Sequence, residues 1–600
     1  MGPDPIVNHY LAEVAVDETL SCVERLAGLD RYQASTGLTR AADVVADAAD
    51  RAGLTEVQIR QYPADGAAHW WSFRAPVSWT PREALLRLSG PGGAAVELDH
   101  HRSPFAVATY SSATPAGGTT APLVELHGAT PLGGALVVVD RPDYLDGSLL
   151  PRLVAAGAIG FVTDGPARDD GGTTWRGRIE LPPDTSLLAF SLTPPEFRVA
   201  AELARAGGQA TVRIVVDRTA RMPVVSGLLP GMDPQADEIW VTAHLCHPRP
   251  SANDNASGVA AALGAAAAIG RAGRSGRPDR PARGIRWFWG PEFLGVAAVL
   301  HEHRDGRLPA AVLNLDMVGE DQARCGSPFV VERPPDLRPS LVPALAEHVV
   351  DAVFAGTSTG TGDTWTAVEF DGFSDHALFA DPSIQRPAVQ FCHPADRFNH
   401  SAADTPDKVS PLEMRRSTAA AAAFVHLAAG PGEPGSARPG AVRRWCAAQQ
   451  EAAARIAARH GDPWGYGLRD HVARYTAGVG ALLYGAPVAA PDRRDLGGLT
   501  AAWEGPLNLR AMQQALPGGT RAAVAGAIAT DKSWLSVLFN LAIRADGSTD
   551  RHGLVATTSY ALRRPLAGPV VDLLVDALLE SGWVTEGATQ CPSPTTRTAG

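Results

Sequence analysis

A chain of 600 residues is too long for one ordinary domain, so two to four are expected. Its hydrophobic content of 45% is that of a globular protein, and a net charge of −11 is mild at this length. Such a charge argues against nucleic acid or an anionic membrane surface as partner. No run of about 18 apolar residues marks a transmembrane helix. The start, MGPDPIVNHYLAEVAVDETL, lacks the charged and apolar regions of a signal peptide. A cytoplasmic protein is therefore expected. Lys408 and Lys532 are the only lysines. The six cysteines (22, 246, 325, 392, 446 and 591) form no C-x-x-C pair, which disfavours a disulfide scaffold or a zinc knuckle.

In chain order, residues 38–53 carry apolar positions at helical spacing and stop at Gly53. EVQIRQY then alternates like a strand. From 76 to 221 short strands, Pro/Gly turns and two strand–helix units predict a small α/β or β-rich inserted domain. From 222 the pattern strengthens. DEIWVTAHLCH is a strand delivering His244, and SGVAAALGAAAAIGRAG is a helix. IRWFWG is a strand followed by Pro291-Glu292. AAVLNLDMVG is a strand reaching Asp316, and RPAVQFCHPADRFNH holds another. This alternation implies an α/β fold with a mostly parallel sheet flanked by helices. Ligands of such sheets sit at the carboxyl ends of the strands, where His244, Glu292 and Asp316 all fall. AAGPGEPGSARPG (428–440) reads as a linker. Beyond it lie helices and a terminal trio of winged-helix type. Residues 521–600 hold seven basic and seven acidic side chains, no footprint for DNA. Packing or self-association, as a homo-oligomer, is the expected role of that region. The expected organisation is thus 1–75 (first part of the catalytic domain), 76–221 (insert), 222–427 (catalytic) and 428–600 (C-terminal helices).

Hydrolysis of an amide needs a nucleophile, a polarised carbonyl and a proton shuttle, and zinc supplies the first two. Imidazoles and carboxylates suit that metal. The chain offers His244, Asp254, Asp316 and His400 as ligands and Glu292 as shuttle. Taken singly, each is weak evidence. A histidine at a strand end or an Asn-Asp-Asn turn is more often purely structural.

The ordered set resembles the co-catalytic zinc aminopeptidases, the family of bacterial leucyl aminopeptidases and glutaminyl cyclases. It comprises AHLCHPRPSANDNASG, FWGPEFLG, NLDMVG, SDH and HSAADT. It most resembles a bacterial aminopeptidase-like branch with a protease-associated-type insert and a C-terminal winged helix. The likeness spans roughly 29–75 and 222–427. It implies that His244 and Asp316 bind one zinc, that His400 binds another, and that Asp254 bridges them. Glu292 would be the general base that takes a proton from the attacking water and returns it to the leaving amine. Two positions depart from the family. Its second glutamate, a metal ligand, is Phe293 here. Its aspartate two residues after the first histidine is Cys246. His247 could replace the missing ligand, or could only hydrogen-bond within its loop. One or two zinc ions are expected, with a small peptide or amide as substrate. A biosynthetic enzyme performing cyclisation or acyl transfer on one zinc is the alternative. An inactive binding protein of the same fold is a third reading. The glycine-rich stretch 355–363 could be a lid or a plain turn. Cys392-His393-Pro394 echoes Cys246-His247-Pro248 without an evident physical reason.

Overall fold

The computed structural model describes residues 4–169, 172–275, 280–357, 362–485 and 498–587. Residues 358–361 of the glycine-rich stretch, and Cys591, lie outside these.

The centre is an eight-stranded sheet in the spatial order 55–62, 222–229, 285–290, 239–244, 311–316, 388–392, 329–332, 365–368. Its four middle strands, 285–290 through 388–392, run parallel to one another, and the edge pair 329–332 and 365–368 is parallel within itself but antiparallel to 388–392. The middle strands are nearly continuous apolar runs because both faces are covered. On one face lie helices Thr36–Ala52, Gly258–Ser275 and Pro411–Ala428. Small alanine side chains on the last two let them pack closely on the strands. The other face carries Leu294–Glu302 and a short hairpin around Trp70 and Phe73. Helix Thr36–Ala52 ends where its pattern predicts, with Gly53 in the left-handed conformation (φ 88°). The apolar stretch Ala252–Arg274 is long enough to cross a membrane, but 78% of its most apolar window is buried in this core.

The sheet is less uniformly parallel than strand–helix alternation suggests. Strand Thr55–Tyr62 pairs antiparallel with Met222–Leu229, which pairs antiparallel with Ile285–Gly290. Tyr62 sits opposite Met222. Everything between them leaves and re-enters the sheet at neighbouring strand ends, a geometry that tolerates a large insertion. The intervening chain builds a second sheet of seven strands with its own apolar core. Four of its strands are parallel (119–125, 136–138, 160–163, 188–191). The other three (209–217, 80–90, 93–99) are antiparallel.

After Pro411–Ala428 the chain forms an antiparallel helix pair, Pro439–His460 and Trp464–Leu482. This pair packs through Val442, Trp445 and Val479 on Leu341 and Ala344. Helices Ser533–Ile543, Arg551–Ala561 and Pro569–Glu580 follow, with a two-stranded ribbon of 499–501 and 584–586. Their shared core reaches back to Phe370, Ala377 and Phe293 beside the strand ends. This last region therefore leans on the rim of the central sheet.

Candidate metal centre

Thr242 pairs with Asn314 across adjacent parallel strands. Two residues further on, His244 and Asp316 come level on the same face, because side chains alternate along a strand. The next strand over places Gly290 opposite His244, and Glu292 follows on the turn leaving it. Three chemical groups are thus delivered by strand pairing alone.

Asp254 arrives differently, on the turn Ala252–Ser257, and the residues around it hold it in place. Asn255 accepts the Met317 N–H (3.0 Å) and donates to the Leu315 carbonyl (2.9 Å). Asn253 accepts the Gly319 N–H (3.0 Å), and Ser257 accepts that of Val318 (3.0 Å). The Asn-Asp-Asn-x-Ser pattern therefore stitches this turn to the strand end that carries Asp316. Gly258 completes it. A Cβ there would lie 2.3 Å from both the Asn255 side chain and the Leu315 carbonyl. From the other side Asp404 accepts the N–H groups of Asn253 (2.6 Å) and Asp254 (3.0 Å), tying the His400 loop to the same turn.

The resulting cluster is organised around the two oxygens of Asp254. His244 Nε2 lies 3.3 Å from Oδ1 and 3.1 Å from Asp316 Oδ1. His247 Nε2 lies 3.4 Å and His400 Nε2 3.1 Å from Oδ2. All six expected site residues meet here, since Glu292 groups with His244 and Asp316. Ligands about 2.0–2.1 Å from a tetrahedral zinc stand roughly 3.3 Å from each other. The donor spacings match that edge at both oxygens, so the residues present fit zinc. His247, expected as a replacement for the ligand lost at Phe293, stacks its ring against His400 at 5.4 Å.

Phe293 itself turns away. Its ring packs among the C-terminal helices and the Leu294–Glu302 layer, and its N–H donates to Asp375 (2.6 Å). Asp375, of the Ser-Asp-His motif, thereby anchors the backbone next to Glu292. Cys246 stands where the family has an aspartate. Its Sγ lies 3.7 Å from His244 Nδ1 and 3.4 Å from His247 Nδ1, and it accepts the Glu292 N–H at 3.2 Å. The thiol touches both rings and the turn that carries Glu292, the kind of outer contact that orients metal-binding imidazoles. Cys392 ends a strand of the same sheet, but His393 Nδ1 donates to the Ser327 carbonyl (3.1 Å) and is not in the cluster.

The electrostatics follow from burial and crowding. Burial pushes Glu292 up to about 8; Asp316, Asp254 and Asp375 add to this, and His244 opposes it. Burial works against a charged His244, yet the adjacent Asp316 and Glu292 hold its pKa well above the ordinary value. Burial also raises Asp254, but His247, His244 and His400 together bring it well below the usual carboxylate range. Backbone strain gathers here too. His247, Ser251, Phe293, Met317 and His400 all have positive φ (130°, 39°, 56°, 59° and 58°), a pattern typical of functional sites.

Two residues that sequence reasoning missed shape the site. Arg31 is fully buried and donates to the carbonyls of Leu245 (2.9 Å), Ser251 (2.9 Å) and Leu26. It clamps both ends of the loop carrying His247, and its backbone exchanges two hydrogen bonds with His247. Arg178, from the inserted sheet's arm, donates its N–H to the His400 carbonyl (2.8 Å). Neither sits in a motif, and both act only through long-range contact.

Residues 225–425 match the model of peptidase family M28. No curated protein matches the sequence. Among solved structures, the peptidase M28 precursor of Shewanella amazonensis is 16% identical, with a TM-score of 0.50, over 71% of this chain and 96% of that one. BSAP, a zinc aminopeptidase from Bacillus subtilis, is 18% identical (TM-score 0.48; 68% and 93% covered). A candidate peptidase from Clostridium acetobutylicum is 14% identical (TM-score 0.49; 97% and 98% covered). At such identities the likeness is one of fold. The stretch that builds the cluster, 225–425, matches peptidase family M28, a family of metal-dependent peptidases, and its histidine and aspartate donors fit zinc, one ion or two.

Proposed function

We propose that the chain is a two-zinc aminopeptidase in which Glu292 is the general base and His247 completes the second metal position. The observation that carries this reading is the pairing of donors on Asp254: one oxygen faces His244, the other faces His247 and His400. His244, Asp316 and Asp254 Oδ1 would hold one ion, and His247, His400 and Asp254 Oδ2 the other. Bound zinc would polarise the scissile carbonyl and acidify the attacking water.

The chain's own residues do the rest. Glu292, buried against His244 and Asp316, takes the proton of the attacking water and returns it to the leaving amine. Asp375 and Cys246 fix the backbone on either side of that carboxylate. The seven-stranded insert, of protease-associated type in this reading, is tied to the His400 loop by the backbone of residues 176–178. The terminal trio and its ribbon form a winged-helix-type unit whose buried helix Ser533–Ile543 serves packing on the catalytic part. The described cysteines are all free thiols, in keeping with a cytoplasmic setting.

The test is product analysis by mass spectrometry on a peptide library with wild-type and Glu292→Gln protein. Release of free N-terminal amino acids, lost in the variant while zinc is retained, is expected. Cyclised or acyl-transferred products would replace hydrolysis with amide-transforming chemistry. Full activity of the variant would remove Glu292 from its role.

A further inference from the structure

The insert reaches the metal cluster through one arm, which leaves strand Gly160–Thr163 and returns at Leu188–Ser191. The arm carries a small ribbon, Arg168–Asp169 against Thr174–Trp175. The segment that follows is tied twice. On the insert's side, Thr109 donates to the Ile179 carbonyl (2.9 Å) and accepts the Leu181 N–H (3.0 Å), and the Arg176 guanidinium pairs with Glu196 on helix Pro194–Arg205. On the catalytic side, residues 176–178 run antiparallel to 400–402. There Ala402 donates to the Arg176 carbonyl (2.9 Å), and Arg178 donates its N–H to the His400 carbonyl (2.8 Å).

Trp175 lies at this contact. Its half-buried indole meets Phe398 edge-on, with 5.6 Å between ring centres, beside Ala403 and Cys325. Phe398 itself is buried, and Lys408 Nζ lies over its ring at 5.4 Å. An edge-to-face pair adds attraction beyond the apolar area it covers. The loop from Phe398 to Ala403 carries His400, whose backbone is left-handed (φ 58°) and whose side chain stays 39% exposed. A residue with a side chain persists in that conformation only where its surroundings hold it. Asp404 holds the loop on one side, through the N–H groups of Asn253 and Asp254. The insert's arm holds it on the other. With the arm released, His400 Nε2 would lose its fixed place 3.1 Å from Asp254 Oδ2.

Resting on the two-zinc reading above, we propose that Trp175 is a positioning residue for the second metal position, so that zinc at His247 and His400 and docking of the insert support each other. Such linkage is reciprocal: whatever the docked insert adds to zinc affinity, bound zinc adds to the docking. The second position is thus assembled from both parts of the chain, and the ion in it depends on whether the insert is seated.

The probe is zinc alone, on the full chain. Zinc-loaded wild type, Trp175→Ala and Trp175→Phe are dialysed against graded chelator, and zinc per chain is read by elemental mass spectrometry. In Trp175→Ala the second ion should leave at about 10- to 100-fold lower chelator than in the wild type, the usual effect of removing an outer support of a metal ligand, with the first ion unmoved. Trp175→Phe keeps an aromatic edge and should recover most of the difference. Peptide turnover by Trp175→Ala should fall in chelator and return with excess zinc, which a collapsed fold would not allow. Hydrogen exchange on the wild type checks the reverse direction. The Arg178 and Ala402 amides, which bridge the two parts, should exchange more slowly with zinc than without it. Equal chelator dependence in wild type and Trp175→Ala, loss of both ions together, or bridging amides indifferent to zinc would overturn the proposal while leaving the two-zinc reading in place. A wild type that holds one ion at saturating zinc would sink that reading, and the proposal with it.

Discussion

The two halves of the metal cluster are built by different means. The His244–Asp316 half stands on adjacent parallel strands whose register sets both side chains at one level. The His247–His400 half stands on two loops, both with positive φ at the donor residue, held by Arg31 from the first helical region and by the insert. His244 is buried to within 1% of its side chain, whereas His400 keeps 39% exposed. The sheet therefore provides a rigid seat, and the loops provide one that depends on remote supports.

The largest effect should come from Glu292→Gln, which removes the proposed proton acceptor beside the His244–Asp316 half. A loss of about 10²–10⁴ in kcat is expected, with zinc content and the thermal midpoint unchanged. Arg31→Met would separate the halves. It leaves the Leu245 and Ser251 carbonyls buried without their donor, a cost of about 1–3 kcal/mol for each. Zinc should then leave the His247 side at lower chelator concentration than the His244 side. If both ions left together, the two seats would not be independent. Phe293→Glu offers the loop half its missing carboxylate, but the ring packs against the C-terminal helices. We expect destabilisation of about 1–3 kcal/mol and no gain of metal, read by denaturant unfolding and zinc analysis.

The smallest effect concerns the docking of the C-terminal helices. Asp336 accepts from His471 Nε2 and Arg544 Nη2, both at 2.6 Å. Burial pushes this carboxyl up, but Arg544 and His471 overcome it and hold it well below the usual carboxylate range. A folded-state value below the unfolded one means the interaction stabilises above about pH 4 and is lost as pH falls further. Asp336→Asn should lower stability at neutral pH and flatten the acid limb of a stability–pH curve. An unchanged limb would remove Asp336 from that role.

How far the sequence could be read follows the same division. The strand ends were legible because period-2 and continuous apolar runs mark strands, and His244, Glu292 and Asp316 follow them directly. The Asn-Asp-Asn-x-Ser-Gly turn was legible as a motif, although its stitching to 315–319 became visible only in three dimensions. Parallel order at the sheet's centre was inferable from alternation. The antiparallel flanks were not, because they depend on where the insert returns. Arg31 and Arg178 left no local signal: an arginine whose partners lie more than two hundred residues away looks like any surface arginine. His247 could be suspected from its spacing, but its proximity to Asp254 Oδ2 needed the fold of two separate loops.

The most direct test of the central claim is zinc per chain, by elemental mass spectrometry, in wild-type and His247→Ala protein purified without chelator. The account predicts about two ions in the wild type and about one in the variant, with the remaining ion lost on His244→Ala. One ion in the wild type, unchanged by His247→Ala, would contradict it and leave a mononuclear site on the strand ends alone.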